Sequence, residues 1–330
     1  MINRAPLQFE PYLKSVIWGG NKLCSFKKLD KCLDGIGESW EISAVPGHES
    51  IVADGPYKGL SITELIDTFG VELLGNKVFE KYGDKFPLLI KFIDAADNLS
   101  VQVHPDDALA KQRHNSLGKT EMWYIVSADN GAKIFAGLNT AMTPDDYARR
   151  VADGTFAQTL AVHDSAPGDV FFLPAGRVHA IGAGNLLAEI QQSSDITYRI
   201  YDYDRRDANG NARELHTELA KDAIDYTVYD NYRSPRPAAD NVDSAIVECD
   251  YFVCRKLTSH SGANPIPVTL TNESFTIVIC VEGTVTLHYG EGLTTTLPAG
   301  HTALLPAAMA ATGGVMLSGE GTVLTTYIPA

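Results

Sequence analysis

The chain reads as a mainly β protein, built as two antiparallel sandwich- or barrel-like units with helices restricted to the first. Three observations predict this. From Ala245 onward there are only short β-prone runs broken by turns, at the close spacing of an antiparallel sandwich or barrel. In the first 240 residues similar runs recur, but helical segments separate them. Finally, Gly168-Asp169-Val170-Phe171-Phe172-Leu173-Pro174-Ala175 resembles Gly300-His301-Thr302-Ala303-Leu304-Leu305-Pro306-Ala307, with five residues between Gly and Pro in both. Two related units, only one of which kept chemistry, account for this echo.

The length, 330 residues, suits two units better than one. The clearest linker is Ser234-Pro235-Arg236-Pro237-Ala238-Ala239, so units at 1–240 and 241–330 are expected. A net charge of −14 argues against a nucleic-acid surface and against anionic membranes, though not against an anionic small substrate in a locally basic pocket. No apolar run approaches a membrane span, and residues 1–7 lack the apolar core of a signal peptide. The five cysteines are scattered without a CxxC pair, which predicts reduced thiols in a cytoplasmic protein and no cysteine-based zinc site.

In order along the chain, Ser39–Val45 reads as a strand closed by Pro46-Gly47. Residues 61–82 read as helices: Ser61 and Glu64 form a start signal, Leu65, Ile66, Phe69, Leu73 and Leu74 recur at helical spacing, and Gly70 and Gly75 interrupt. Phe86–Ile93 is an apolar strand enclosing Lys91, read as a snorkelling side chain in preference to a phosphate contact. A strand over 99–104, a short helix over 105–114 and a strand over 121–126 follow. The last of these is expected to pair with Ala132–Ala136. Thr143-Pro144-Asp145-Asp146 starts a helix that runs to about Asp153. Val170–Leu173, Leu186–Gln192 and Thr197–Tyr203 read as strands, and 213–226 as helical. Glu282-Gly283, between two apolar runs, reads as a hairpin turn.

One constellation carries chemistry. In Val101-Gln102-Val103-His104-Pro105-Asp106 a strand directs Gln102 and His104 to one face and the valines to the other. Glu121, in Gly118-Lys119-Thr120-Glu121, and His179, in Pro174-Ala175-Gly176-Arg177-Val178-His179, are placed to converge on them. Four N and O donors suit zinc, and less specifically manganese, iron or cobalt. The remaining histidines, His48 among them, have no ligand-like spacing and read as structural.

These three segments resemble the type I mannose-6-phosphate isomerases in their short bacterial form. Lys14–Gly20, Gly37–Ser43 and Glu189 through Tyr198–Arg205 extend the resemblance over roughly residues 10–225. It implies two cupin-like jelly-roll β-barrels, the C-terminal one without metal ligands, and one zinc ion per chain held by Gln102, His104, Glu121 and His179. It also implies that Arg199 is the active-site arginine and that the substrate is a sugar phosphate. Gln-x-His in place of His-x-His, and the 16 residues between His104 and Glu121, agree with this branch rather than with the cupin dioxygenases.

The chemistry asks for the same parts. Moving a proton between C1 and C2 of an aldose passes through an enediol, whose oxygen charge a metal or a fixed cation stabilises. Arg199 is assigned to that charge or to substrate anchoring. Glu189 is a candidate proton shuttle alongside a metal-bound water, and Lys119, on the face of Glu121, can hold substrate. A structural Glu189–Arg199 ion pair and a solvent-facing Lys119 are the bland alternatives, and Asp202, Asp204, Arg205 and Arg206 read as a solvated rim rather than a site. The expected function is interconversion of mannose 6-phosphate and fructose 6-phosphate; the alternative is a catalytically silent metal-cupin that binds a sugar phosphate.

Overall fold

A computed structural model describes residues 1–31, 33–206, 209–235 and 243–329. The fold is mainly β. In the first unit a six-stranded antiparallel sheet runs in the order Val170–Leu173, Glu121–Ala128, Asn185–Gln192, Leu88–Ala95, Tyr12–Gly20, Ile36–Ile42. A five-stranded sheet, Tyr198–Tyr201, Val101–Val103, His179–Ile181, Lys133–Leu138, Leu160–Asp164, faces it. Ile93, Trp123 and Leu187 from the first sheet pack with Ile134, Ala136 and Ile181 from the second in one buried cluster.

The C-terminal residues form a seven-stranded sheet around the long strands Thr276–Tyr289 and Val315–Tyr327. Its interior is filled by aliphatic side chains such as Leu257, Leu287, Leu305 and Leu317. A third cluster joins the two units, with Leu74, Ile90 and Phe92 packed beside Phe275, Ile277 and Leu324.

The sheets do not close into the expected barrels. Each ends on edge strands; in the first unit two facing sheets already bury the inner faces that closure would hide. The expected boundary at 240/241 and most of the linker lie outside the described residues.

The helices form where their caps direct. Ser61 and Glu64 make a reciprocal capping box on Ile62–Phe69, and Thr143 and Asp146 make another on Pro144–Ala152. Gly70 and Gly75 separate the helices over 62–82. Gly75 has φ +95°, and a Cβ there would lie 2.4 Å from the Glu273 backbone, so only glycine allows the C-terminal unit this close.

Four local expectations are corrected. Glu282-Gly283 makes no hairpin: the strand is continuous, and Gly283, at φ +70°, pairs with Gly321 just beyond a bulge between Cys280 and Glu282. The strand at 133–138 pairs with His179–Ile181 and Leu160–Asp164 rather than with Glu121–Ala128. Helix in 213–226 is limited to Thr217–Ala223. Cys24 is disulfide-bonded, whereas Cys249, Cys254 and Cys280 are free thiols.

Candidate active site

The two facing sheets bring three of the expected metal donors together. His104 follows the short strand Val101–Val103, where Pro105 ends pairing; Glu121 opens a strand of the opposite sheet; His179 opens a strand beside Val101–Val103. All three are buried, and their ligand atoms lie within 4.8 Å of one another. His104 Nε2 is 3.5 Å from Glu121 Oε2, and His179 Nε2 is 3.3 Å from Glu121 Oε1.

The tautomers follow from the backbone. His104 Nδ1 donates to the Ile196 carbonyl and His179 Nδ1 to the Arg177 carbonyl, both at 2.8 Å. Each ring therefore turns an Nε2 lone pair toward Glu121. Burial, with the Lys119 charge added, holds both imidazoles neutral: His104 is well below its ordinary pKa and His179 falls to about 3. His179 Nε2 and Glu121 Oε1 are buried without a hydrogen-bond partner. Two neutral imidazoles and a carboxylate converging with unsatisfied atoms suit a divalent cation of the zinc type.

Above the triad lies a cavity of about 490 Å³. Gln102, Lys119, Glu189 and Arg199 line it. Gln102, on the strand Val101–Val103, stands between His179 and Arg199 on the two flanking strands, opposite each in register. Lys119 is buried; its Nζ lies 3.1 Å from His104 Nε2 and pairs with Glu121 Oε2. Glu189 makes no pair with Arg199. Its Oε2 accepts the Trp123 indole N–H at 2.8 Å, and its Oε1 is 3.4 Å from Lys91 Nζ. Burial raises the Glu189 pKa, but Lys119, Lys91 and the Trp123 hydrogen bond outweigh it and keep the carboxyl ionised.

Arg199 is half-buried. One guanidinium nitrogen donates to the Glu214 carbonyl at 2.8 Å, while Nε is buried and unpartnered. Burial lowers its pKa, as does neighbouring Arg213. A cation held this way without a carboxylate partner is suited to an anionic ligand.

Sequence reasoning missed several lining residues. Lys91 does not snorkel: it is 7% exposed, lies opposite Glu189 and Trp40 in register, and sits 4.9 Å from the Trp40 ring. Its signal was a charge inside an apolar strand. Glu38, Trp40, Asp195, Arg213 and His48 also line the cavity, His48 stacked on Tyr12 at 4.4 Å. The rim near 202 is not solvated throughout, since Asp202 is buried between Arg205 and Arg213.

Fold and site together define a β-sandwich protein with a buried metal-binding triad beneath a cavity rich in cations. Comparisons make this specific. A family model for the phosphomannose isomerase type I catalytic domain matches residues 7–130. A mannose-6-phosphate isomerase of Streptococcus mutans is 43% identical over 66% of this chain and 67% of its own. The ManA mannose-6-phosphate isomerase of Bacillus subtilis is 37% identical over 87% of this chain and 88% of its own. The crystal structure of a B. subtilis mannose 6-phosphate isomerase superposes with a TM-score of 0.87 at 34% identity, covering 98% of this chain and 100% of that one. This chain belongs to the type I mannose-6-phosphate isomerase family.

Proposed function

We propose that this protein interconverts mannose 6-phosphate and fructose 6-phosphate. The observation that carries the reading is the union of two features in one pocket. The first is the neutral-imidazole and carboxylate triad. The second is a cavity in which Lys14, Lys91, Lys119, Arg199 and Arg213 outnumber the carboxylates Glu38, Glu189 and Asp195. In a chain of net charge −14, that local excess suits a phosphorylated sugar and disfavours a cationic one.

His104, Glu121 and His179 would hold the divalent ion, with Gln102 beside them as a fourth donor. Zinc is the ion we assign. When bound, the ion polarises the sugar carbonyl and its neighbouring hydroxyl and stabilises charge on their oxygens.

The remaining steps fall to the protein. Arg199 directs its free N–H groups at the anionic part of the substrate. Lys119 places an ammonium beside the reacting end. Glu189, ionised and fixed by Trp123 and Lys91, is positioned to take the proton from C2 of the aldose, which leaves the enediolate, and to return it to C1, while the hydroxyl proton moves from O2 to O1 to complete the ketose. The Glu189 side chain is itself buried in the cavity wall. This arrangement favours the enzyme over a silent binder, since binding alone needs no buried proton carrier.

In fold terms, we assign the first unit to a cupin-like jelly roll with open edges and the C-terminal unit to a related sheet without ligands. The division is placed at 240/241. A cytoplasmic location follows from the phosphorylated substrate.

The test is direct. Purified protein is mixed with mannose 6-phosphate and fructose 6-phosphate is followed, then the assay is repeated after chelation and after zinc is restored. Turnover that disappears and returns is expected. Zinc-loaded protein without turnover would support the silent binder, and turnover surviving complete metal removal would overturn the metal's role.

A further inference from the structure

The strand Ile36–Ile42 has two working faces. Glu38 and Trp40 line the cavity, where the Trp40 indole N–H donates to Glu38 at 2.6 Å and its ring lies 4.9 Å from Lys91. Ser39 and Glu41 face away, and both are buried. Behind the strand, Glu41 Oε1 accepts from Ser39 Oγ at 2.5 Å and from Lys27 Nζ at 2.7 Å. Lys27, only 3% exposed, also donates to the carbonyl of Gly300 in the C-terminal unit.

Gly300 is firmly held. Its N–H donates to Cys280 at 2.9 Å, and the adjacent Ala299 N–H to Gly283 at 2.9 Å. Its φ is +82°, and a Cβ there would lie 2.8 Å from Lys27 Cγ, so glycine is needed for conformation and for approach. Gly300 opens the second of the two similar turns in the sequence. In the first unit the matching turn leads to His179; in the C-terminal unit it leads to no donor, but its carbonyl meets Lys27.

We propose that the Gly300 turn sets the position of the cavity wall through Lys27 and Glu41, which makes Lys27 a positioning residue for the isomerisation. The C-terminal unit, without donors of its own, acts on catalysis by fixing the strand that presents Glu38 and Trp40 to Lys91. A buried ion pair adds little net stability compared with well-packed apolar side chains, and its use here is to define one register and one depth for that strand. The inference rests on the isomerase reading for its kinetic consequence only.

The experiment compares the parent with Lys27→Met/Glu41→Met, which removes both charges while keeping side-chain length. Melting temperature, metal content, kcat/KM for mannose 6-phosphate and amide exchange over residues 36–42 are measured. The expected result is a melting temperature within a few degrees of the parent and unchanged metal. With these, kcat/KM falls about tenfold, as expected for a small displacement of reacting groups, and exchange over 36–42 is faster. Parent kcat/KM and parent exchange in the folded double variant would overturn the proposal. If the double variant does not fold, Glu41→Gln decides in the same way, with a loss of about threefold expected from the weaker bridge. An inactive parent would defeat the isomerase reading instead, and exchange over 36–42 would still judge the clamp.

Discussion

The two units answer the same turn differently. In the first, Gly168 and Pro174 lead through a tight loop to His179, inside a sandwich whose interior also holds Lys91, His104, Lys119, Glu121 and Glu189. In the second, Gly300 and Pro306 bracket an equivalent strand, both glycines at φ +82°, but the sheet interior is aliphatic. Buried charge is costly unless paired, so a scaffold carries it only where a ligand or a partner compensates. The comparison teaches that turn and strand are generic, and that the chemistry lies where several strands of two facing sheets carry donors in place of apolar residues.

The largest effect should come from breaking the polar interior. His179→Ala removes one of three convergent ligands, the one whose ring packs edge-on against Trp123. Metal per chain, measured by elemental analysis, should fall toward zero. Isomerisation should drop by about 10³-fold or more, the scale of several kcal/mol of lost charge stabilisation. Retention of both metal and turnover would move the site elsewhere.

Arg199→Ala comes next and separates holding metal from using it. The arginine lines the cavity and donates its hydrogen bond to the Glu214 carbonyl rather than to the triad, so metal content should stay at the parent value. Turnover should fall by roughly 10²–10³-fold, the usual loss when a fixed cation facing developing charge is removed. Metal lost together with the arginine would mean that Arg199 supports the ligand strand rather than the substrate.

How much of this was legible in the chain depends on distance along it. Gln102 and His104 were readable because two residues on a strand share a face, and the capped helices at Ser61 and Thr143 because their signals lie within one turn. Glu121 and His179 depended on the resemblance of their flanking segments. The partnership of Lys91 with Glu189 and Trp40 was not readable, since cross-strand register joins segments about a hundred and about fifty residues apart. The Lys27–Glu41–Gly300 bridge spans the whole protein and left only a glycine in a repeated turn as its trace. Gly283 misled for a different reason: positive φ is shared by hairpin turns and bulges, and only the pairing partner distinguishes them.

A third change tests the aliphatic interior of the second unit. Leu287→Ala, in that core and fully buried, should lower unfolding stability by about 3 kcal/mol through lost burial and a residual cavity. Denaturant titration measures this, and the folded fraction should retain parent metal content. Metal lost from the folded fraction would show that this core supports the triad itself.

The smallest expected effect is the sharpest test of the comparison. Ala311 lies as far beyond Gly300 as His179 lies beyond Gly168, so Ala311→His places a histidine at the corresponding step of the second unit. There the chain forms the short helical turn Ala307–Thr312, and Ala311 is exposed. The new imidazole should stand in water, because the strand that would bring other donors to it carries aliphatic residues. Zinc per chain should remain that of the parent, and stability should change by no more than about 0.5 kcal/mol, as for surface substitutions generally. A second equivalent of tightly bound zinc would mean that the turn, rather than the convergence of donors from facing sheets, is what builds a metal site in this fold.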